Sequence, residues 1–421
     1  MPLSLSDEQT IEGLLENLPL DYQQTAIESK AFLRARKIKS PMELMHLVMM
    51  YCGVDQVLRE VAGNVTLLNE KITDTAIQKR LRACGPWLKM ILEQMWFSGV
   101  TKLPGALRFV LVDGSSLSVA GANGTSYRLH IAIDLVSLSI VHIEVTDKYV
   151  GESLAHYPFI EGDIVIVDRG YNQPQEIINI TEKGILIVLR LNPYSMRLFS
   201  VGGEHKIKMY DELKKAKTDN ICIPVWVSNG DNDYVEAWVH GRRLPLEKRA
   251  EARYKCKQRS KTGHPKQETL IYAEWQMVFT TVPVNVLETE TIGALYALRW
   301  QIEVFIKRLK SLLDIDKLRC PEGSTLNEVW LYGKLLFTTL LIKRTDKAFS
   351  VDGIEPENPR KATPWRFWKT IRNEMKTIIT GVFFWKKANL PMAKKVMEER
   401  SRKRQLQGLP PRVEKLLVAF A

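Results

Sequence analysis

Apolar residues change their spacing along the chain, and that change divides it. Over the first hundred positions they recur at helical intervals with no alternating run between them. Pro41 to Tyr51 (PMELMHLVMMY) predicts an apolar helix, and Val54 to Val61 predicts a second. In Ile72 to Gly85 (ITDTAIQKRLRACG), Thr73 or Asp74 can cap a helix with Ile77 and Leu81 four apart on one face, and Gly85-Pro86 closes it. Gln78, Lys79, Arg80 and Arg82 then point outward. With LREVAG before it, this reads as a loose helix-turn-helix whose second helix can enter a major groove, or as a plain helical bundle.

From Leu107 the texture differs. Arg108 to Asp113 (RFVLVD) and Asp163 to Asp168 (DIVIVD) are continuous apolar runs, each ending in a carboxylate. Between them, Arg128 to Leu135 and Ser139 to Thr146 predict a hairpin, and Glu152 to Phe159 a short helical stretch. Gln175 to Lys183 follows as a helix and Ile185 to Arg190 as a fifth strand. Continuous apolar runs suit strands covered on both faces. Three strands, a helix, a strand, a helix and a strand is the order of a ribonuclease-H-like fold. Leu191 to Pro283 holds short β-prone pieces: Ile221 to Val227, Tyr234 to His240 and Leu270 to Thr281. A long helix from Thr289 to Leu313 then resumes the core, and FWKTIRNEMKTII is the clearest amphipathic segment beyond it. The predicted architecture is α/β, a ribonuclease-H-like core interrupted by a mostly β insertion. A helical region spans 1–105, the first part of the core 106–190, the insertion 191–285, the second part 286–345, and a basic helical region 346–421.

Composition narrows the functional classes. The 421 residues are 45% hydrophobic and 26% charged, which excludes a largely disordered chain. No apolar run approaches the roughly 18 residues of a membrane span. The best, Leu335 to Ile342, has eight positions including two threonines. The N-terminus has neither the basic start nor the apolar stretch of a secretory leader. Five scattered cysteines read as reduced thiols of a cytosolic protein. The net charge is +12, and two runs concentrate it. Arg242 to Lys266 carries ten Lys/Arg against two Glu, and Lys386 to Lys415 ten against three. Such clusters attract a polyanion, of which nucleic acid is the commonest in the cytosol, although one basic run alone is commonly a solvated surface.

The helix from Thr289 carries the candidate chemistry. At about 100° per residue, Tyr296, Arg299, Glu303, Lys307 and Lys310 form a narrow stripe beside the apolar face of Leu298, Ile302, Phe305 and Leu309. Arg299 and Glu303 alone are compatible with a surface ion pair. Asp113 and Asp168, however, end strands that this order makes central neighbours, and Glu303 beside them brings three carboxylates together. Their repulsion calls for a cation, and hard divalent ions such as Mg²⁺ or Mn²⁺ provide one. Two of them can activate a water or 3′-hydroxyl and stabilise the leaving oxygen in phosphoryl displacement. His130, His142, His156 and His264 lack ligand spacing and read as structural or surface residues.

Tyr296, Arg299, Glu303 and Lys310, with VDGSSL around Asp113 and VDRGYN around Asp168, resemble the Tyr-Arg-Glu-Lys signature and aspartate motifs of DDE transposases, more narrowly the insertion-sequence-four family. The resemblance covers about Arg108 to Leu313. It implies a prokaryotic, cytoplasmic and nucleoid-associated cut-and-paste enzyme, acting as a homodimer on double-stranded DNA. Such an enzyme binds the terminal inverted repeats of its element, cleaves there, and joins the 3′-ends to target DNA. It further implies Asp113, Asp168 and Glu303 as catalytic ligands of Mg²⁺, with Mn²⁺ able to replace it and two ions expected. Tyr296, Arg299 and Lys310 would contact DNA phosphates, Lys307 would lie along the DNA, and Trp275 would stack on a flipped base if a hairpin forms. Open alternatives are a host nuclease on the same fold, a non-enzymatic DNA-binding derivative, and an RNA-binding protein using the basic insertion.

Overall fold

The computed structural model describes residues 10–68, 72–97, 107–230, 233–260, 264–350 and 364–380. Its centre is one mixed sheet, built from β1 (Arg108–Leu117), β2 (Tyr127–Asp134), β3 (Ile140–Asp147), β4 (Asp163–Val167), β5 (Leu186–Arg190), β6 (Leu198–Phe199), β7 (Lys206–Ile207), β8 (Asn220–Ser228), β9 (Tyr234–Arg243) and β10 (Trp275–Thr280). The strand order is β3-β2-β1-β4-β5-β10-β9-β8-β6-β7. β1, β4 and β5 run parallel, while β2 lies antiparallel between β1 and β3. This half of the sheet is the ribonuclease-H-like core.

The continuous apolar runs have a simple cause. Successive side chains of a strand point to opposite faces, and both faces here are covered. Phe109, Leu111, Ile164, Ile166 and Val188 enter one core, whereas Val110, Val112, Val165, Val167, Ile187 and Leu189 enter the other. The first core is shared with α11 (Thr289–Ala297), α12 (Trp300–Leu313), α13 (Thr325–Ser350) and the N-terminal helices. The second holds α7 (Pro174–Thr181) and α8 (Met209–Lys215). At the foot of the central strands, Arg108 grips the fully buried Asp163 with two bonds, Nε to Oδ1 at 2.9 Å and Nη2 to Oδ2 at 2.6 Å. Those residues face each other in the β1–β4 register. Five residues further along both strands stand Asp113 and Asp168.

The N-terminal region is helical as expected: α1 (Ile11–Leu15), α2 (Tyr22–Glu28), α3 (Pro41–Val48), α4 (Leu58–Leu68), α5 (Asp74–Leu81) and α6 (Gly85–Phe97). Thr73 caps α5 through its hydroxyl and the Ala76 amide. Two expectations shift. A π-helical turn, Met49–Gly53, follows α3, and Asp55 takes a left-handed φ of 64°, so the next helix starts at Leu58 and not Val54. Gly85 opens α6 instead of ending α5. The Leu335 to Ile342 run lies in the middle of α13, whose buried Leu335, Leu336, Phe337, Leu340 and Leu341 hold α6, the π turn and α14 (Pro364–Thr380) around it.

Two further corrections concern the stretch from Leu270 to Leu313. The segment Leu270 to Thr281 is not one strand: it begins within a helix, α10 (Gln267–Ala273), and only Trp275 onward is extended. The predicted long helix is broken between α11 and α12. The Leu298 amide turns back to Leu295 and the Arg299 amide to Tyr296, both at 3.0 Å, a tighter three-residue pattern that ends one helix and starts another. The basic stretch of the insertion is α9 (Leu246–Arg259), a helix with no buried residue. The second basic run, Lys386 to Lys415, lies outside the described residues.

Candidate active site

Asp113 lies in β1 and Asp168 directly follows β4. Continuing the strand alternation, both side chains fall on the face of Phe109, Leu111, Ile164 and Ile166, the face α12 covers. The helix break then acts as a hinge point for two side chains. Tyr296, at the end of α11, donates its hydroxyl to Asp168 Oδ1 at 3.4 Å. Arg299, capping α12, places Nη1 3.5 Å from Asp113 Oδ2 and Nη2 in direct contact with Glu303 Oε1. One guanidinium therefore bridges two carboxylates, and one phenol touches the third.

The electrostatics follow from this crowding. Asp113 is pushed up to about 6, chiefly by burial, against the pull of Arg299 and the Gly114 amide and with added repulsion from Glu303 and Glu152. Burial also pushes the Tyr296 hydroxyl up to about 12, against the Arg299 charge, so it stays a neutral donor. For Arg299, burial works against the charge, but the hydrogen bond to Glu303 and the charges around it hold its pKa above the ordinary value.

All the donors gathered here are carboxylate oxygens, the set that Mg²⁺ and Mn²⁺ prefer. Arg299 supplies a positive charge between two of them. Among the described residues no group of three His, Cys, Asp or Glu is gathered closely enough to hold a metal ion. The donor chemistry fits divalent ions once the guanidinium moves aside.

The other predicted residues are placed less uniformly. Lys310 Nζ donates to the Ser116 carbonyl at 3.2 Å, on the far end of β1, and Lys307 is exposed on the same helix. Trp275 is not brought to the carboxylates. It is 5% exposed and packs in the second core, with Arg243 stacked 5.7 Å over its ring. Its neighbour Gln276 lines a cleft of about 340 Å³ beside Tyr296, together with Arg190, His240, Arg242 and Thr289. Adjacent strand residues face opposite ways, so the register that presents Gln276 to the cleft turns Trp275 into the core. Sequence spacing also missed that His130 and His156 stack with centroids 4.2 Å apart and that His156 Nδ1 meets Glu144 at 2.8 Å. Glu152, in the loop before β4, was missed as well. Its only sequence trace is the pair of motif glycines, Gly114 and Gly170, against which it lies.

Residues 104–340 match the family model described as the transposase DDE domain. The chain is 29% identical over 334 residues to InsL, named as a transposase for insertion sequence element IS186A of Escherichia coli (strain K12), spanning 77% of this chain and 90% of that protein. It is likewise 29% identical over 335 residues to the transposase for insertion sequence element IS421 of Escherichia coli, with the same coverage of 77% and 90%. The transposase for insertion sequence element IS231F of Bacillus thuringiensis subsp. israelensis is 27% identical over 192 residues, 42% of this chain and 40% of that one. A solved piggyBac transposase synaptic complex with hairpin DNA aligns at a TM-score of 0.40 and 8% identity, over 94% of this chain and 84% of that one.

Proposed function

Because the chain belongs to the transposase DDE domain family, and is thus a DNA transposase of a family that uses divalent metal ions, we propose that it is a cut-and-paste enzyme of the insertion-sequence-four group, with Asp113, Asp168 and Glu303 as its metal-holding catalytic carboxylates. The observation that carries this reading is Arg299 bridging Asp113 and Glu303 while Tyr296 touches Asp168.

In this reading the three carboxylates hold Mg²⁺, or Mn²⁺ in its place, most economically as two ions. When bound, the metal activates a water or 3′-hydroxyl and stabilises the leaving oxygen. Arg299 trades its carboxylates for a phosphate oxygen pair, for which its planar fork is suited. Tyr296, kept neutral, has one proton to give, which it turns from Asp168 to the neighbouring phosphate when DNA is bound. Lys310, at the Ser116 end of β1, and the exposed Lys307 extend the contact along the DNA. The exposed helix α9 continues it, through Lys248, Lys257 and Arg259, while Arg249, Arg253 and Lys255 pair with Asp219, Glu274 and Glu251. The helical region 1–105 reads the element's ends, with Lys79 and Arg82 exposed at α5 as its positive contacts. Two copies act together, since both ends must be held at once. A cytoplasmic, nucleoid-associated location follows from this activity. Among the described residues no helix is long and apolar enough to cross a membrane.

The test is a pre-nicked duplex carrying the element's own end, incubated with protein, Mg²⁺ and supercoiled plasmid beside a Glu303→Gln control. Metal-dependent joining that the control lacks supports the proposal. Cutting without joining would make the protein a nuclease, and end binding with neither would make it a DNA-binding derivative.

A further inference from the structure

Glu152 lies in the loop between β3 and β4, and its carboxylate rests against two backbone positions of the catalytic centre. A Cβ built on Gly114, the residue after Asp113, would stand 3.2 Å from Glu152 Oε1. A Cβ on Gly170, two residues after Asp168, would collide with Oε2. Neither glycine has a positive φ, so backbone conformation does not demand glycine at either place. What both positions share is the carboxylate that a side chain would displace. Among the described residues no hydrogen bond or ion pair engages that carboxylate, although Arg299 is taken up by Asp113 and Glu303. The residues that follow it, Leu154 and Tyr157, pack into the second core, so Glu152 reaches the strand ends from the layer opposite α12.

We propose that Glu152 is a fourth carboxylate of the catalytic centre, a positioning residue that strengthens divalent-ion binding by Asp113, Asp168 and Glu303, and that Gly114 and Gly170 are glycine so as to admit it. The inference rests on the metal-dependent reading above. An unpaired carboxylate held beside a set already short of positive charge favours a dication over a single guanidinium. Supporting groups around a metal typically change its affinity 10- to 100-fold.

The experiment titrates Mn²⁺ alone into the full-length protein, followed by the electron paramagnetic resonance of the free ion. Variants are Glu152→Ala, Gly170→Ala, the two combined, and Asp113→Asn as reference. The clash at Gly170 involves the far end of a flexible side chain, so alanine there evicts the carboxylate without straining the fold. Glu152→Ala and Gly170→Ala should each bind Mn²⁺ about tenfold more weakly, with an unchanged urea-unfolding midpoint. The double variant should be no weaker than Glu152→Ala, because the alanine acts only by moving Glu152. Wild-type affinity in Glu152→Ala, with affinity lost in Asp113→Asn, overturns the proposal and leaves the triad standing. Wild-type affinity in Asp113→Asn overturns the metal reading and the proposal with it. Losses that add in the double variant overturn the role given to Gly170.

Discussion

Replacing Arg299 by Gln should tighten divalent-ion binding by the DNA-free protein while reducing strand cleavage. This guanidinium, with its side chain 14% exposed, meets Glu303 directly and stands 3.5 Å from Asp113. An entering dication has two routes. Either Arg299 stays and repels it, at roughly 4 kcal/mol per unit charge for 4 Å and an effective dielectric constant of 20, or Arg299 leaves and forfeits its charge-assisted bonds, at about 1.5–3 kcal/mol. The cheaper route sets the cost, so removing the arginine should improve affinity about 10- to 100-fold. The assay is Mn²⁺ titration without DNA, performed above about pH 7, where Asp113, pushed up to about 6, is ionised and no proton competes. Adding end-bearing DNA should raise the affinity of the native protein, whose Arg299 is then drawn to phosphate, and leave that of the variant unchanged. If Arg299→Gln binds Mn²⁺ no more tightly than the native protein in the absence of DNA, competition between the guanidinium and the ion is refuted.

Glu303→Gln should abolish strand cleavage while a gel-shift assay shows end binding within about twofold of native, since it removes a proposed metal ligand and leaves the proposed phosphate contacts, Arg299 and Lys310, in place. Arg108→Leu strands the fully buried Asp163 without its partner and should cost about 3–5 kcal/mol in urea unfolding. A native-like midpoint there would show that the pair does not hold the β1–β4 register. His240 is 2% exposed, and burial pushes its pKa down to about 4 from 6.5. Between those values the unfolded chain binds more protons than the folded one, so this contribution is complete above pH 6.5 and is lost as pH falls toward 4. In His240→Gln the acid-side loss of stability should therefore be shallower, by up to about 3 kcal/mol, in unfolding midpoints collected across that range.

The strand ends were legible because physics writes them twice. RFVLVD and DIVIVD show unbroken apolarity only because alternate residues enter two different cores, and their terminal aspartates stand out against it. The stripe of Tyr296, Arg299 and Glu303 was legible too, but the break between α11 and α12 was not, since apolar spacing runs through Leu298 undisturbed. Trp275 was ambiguous for a different reason. A tryptophan suits a stacking surface and a core equally, and only the pairing of β10 with β9, Trp275 opposite Arg243, decides which face it takes. Glu152 left only the indirect trace of Gly114 and Gly170, because an exposed glutamate in a polar loop has no periodic signal of its own. Least legible was the path of the insertion. It departs after β5, adds strands to the same sheet and returns as β10, hydrogen-bonded directly to β5 through Val278–Arg190 and Phe279–Leu189. The excursion thus comes back to the strand it left, and the chain re-enters α11 one strand away from β4. That return is what delivers Tyr296 to Asp168 and Arg299 to Asp113. The insertion sets the geometry of the candidate site by extending the sheet sideways, even though none of its strands carries one of the three proposed carboxylates.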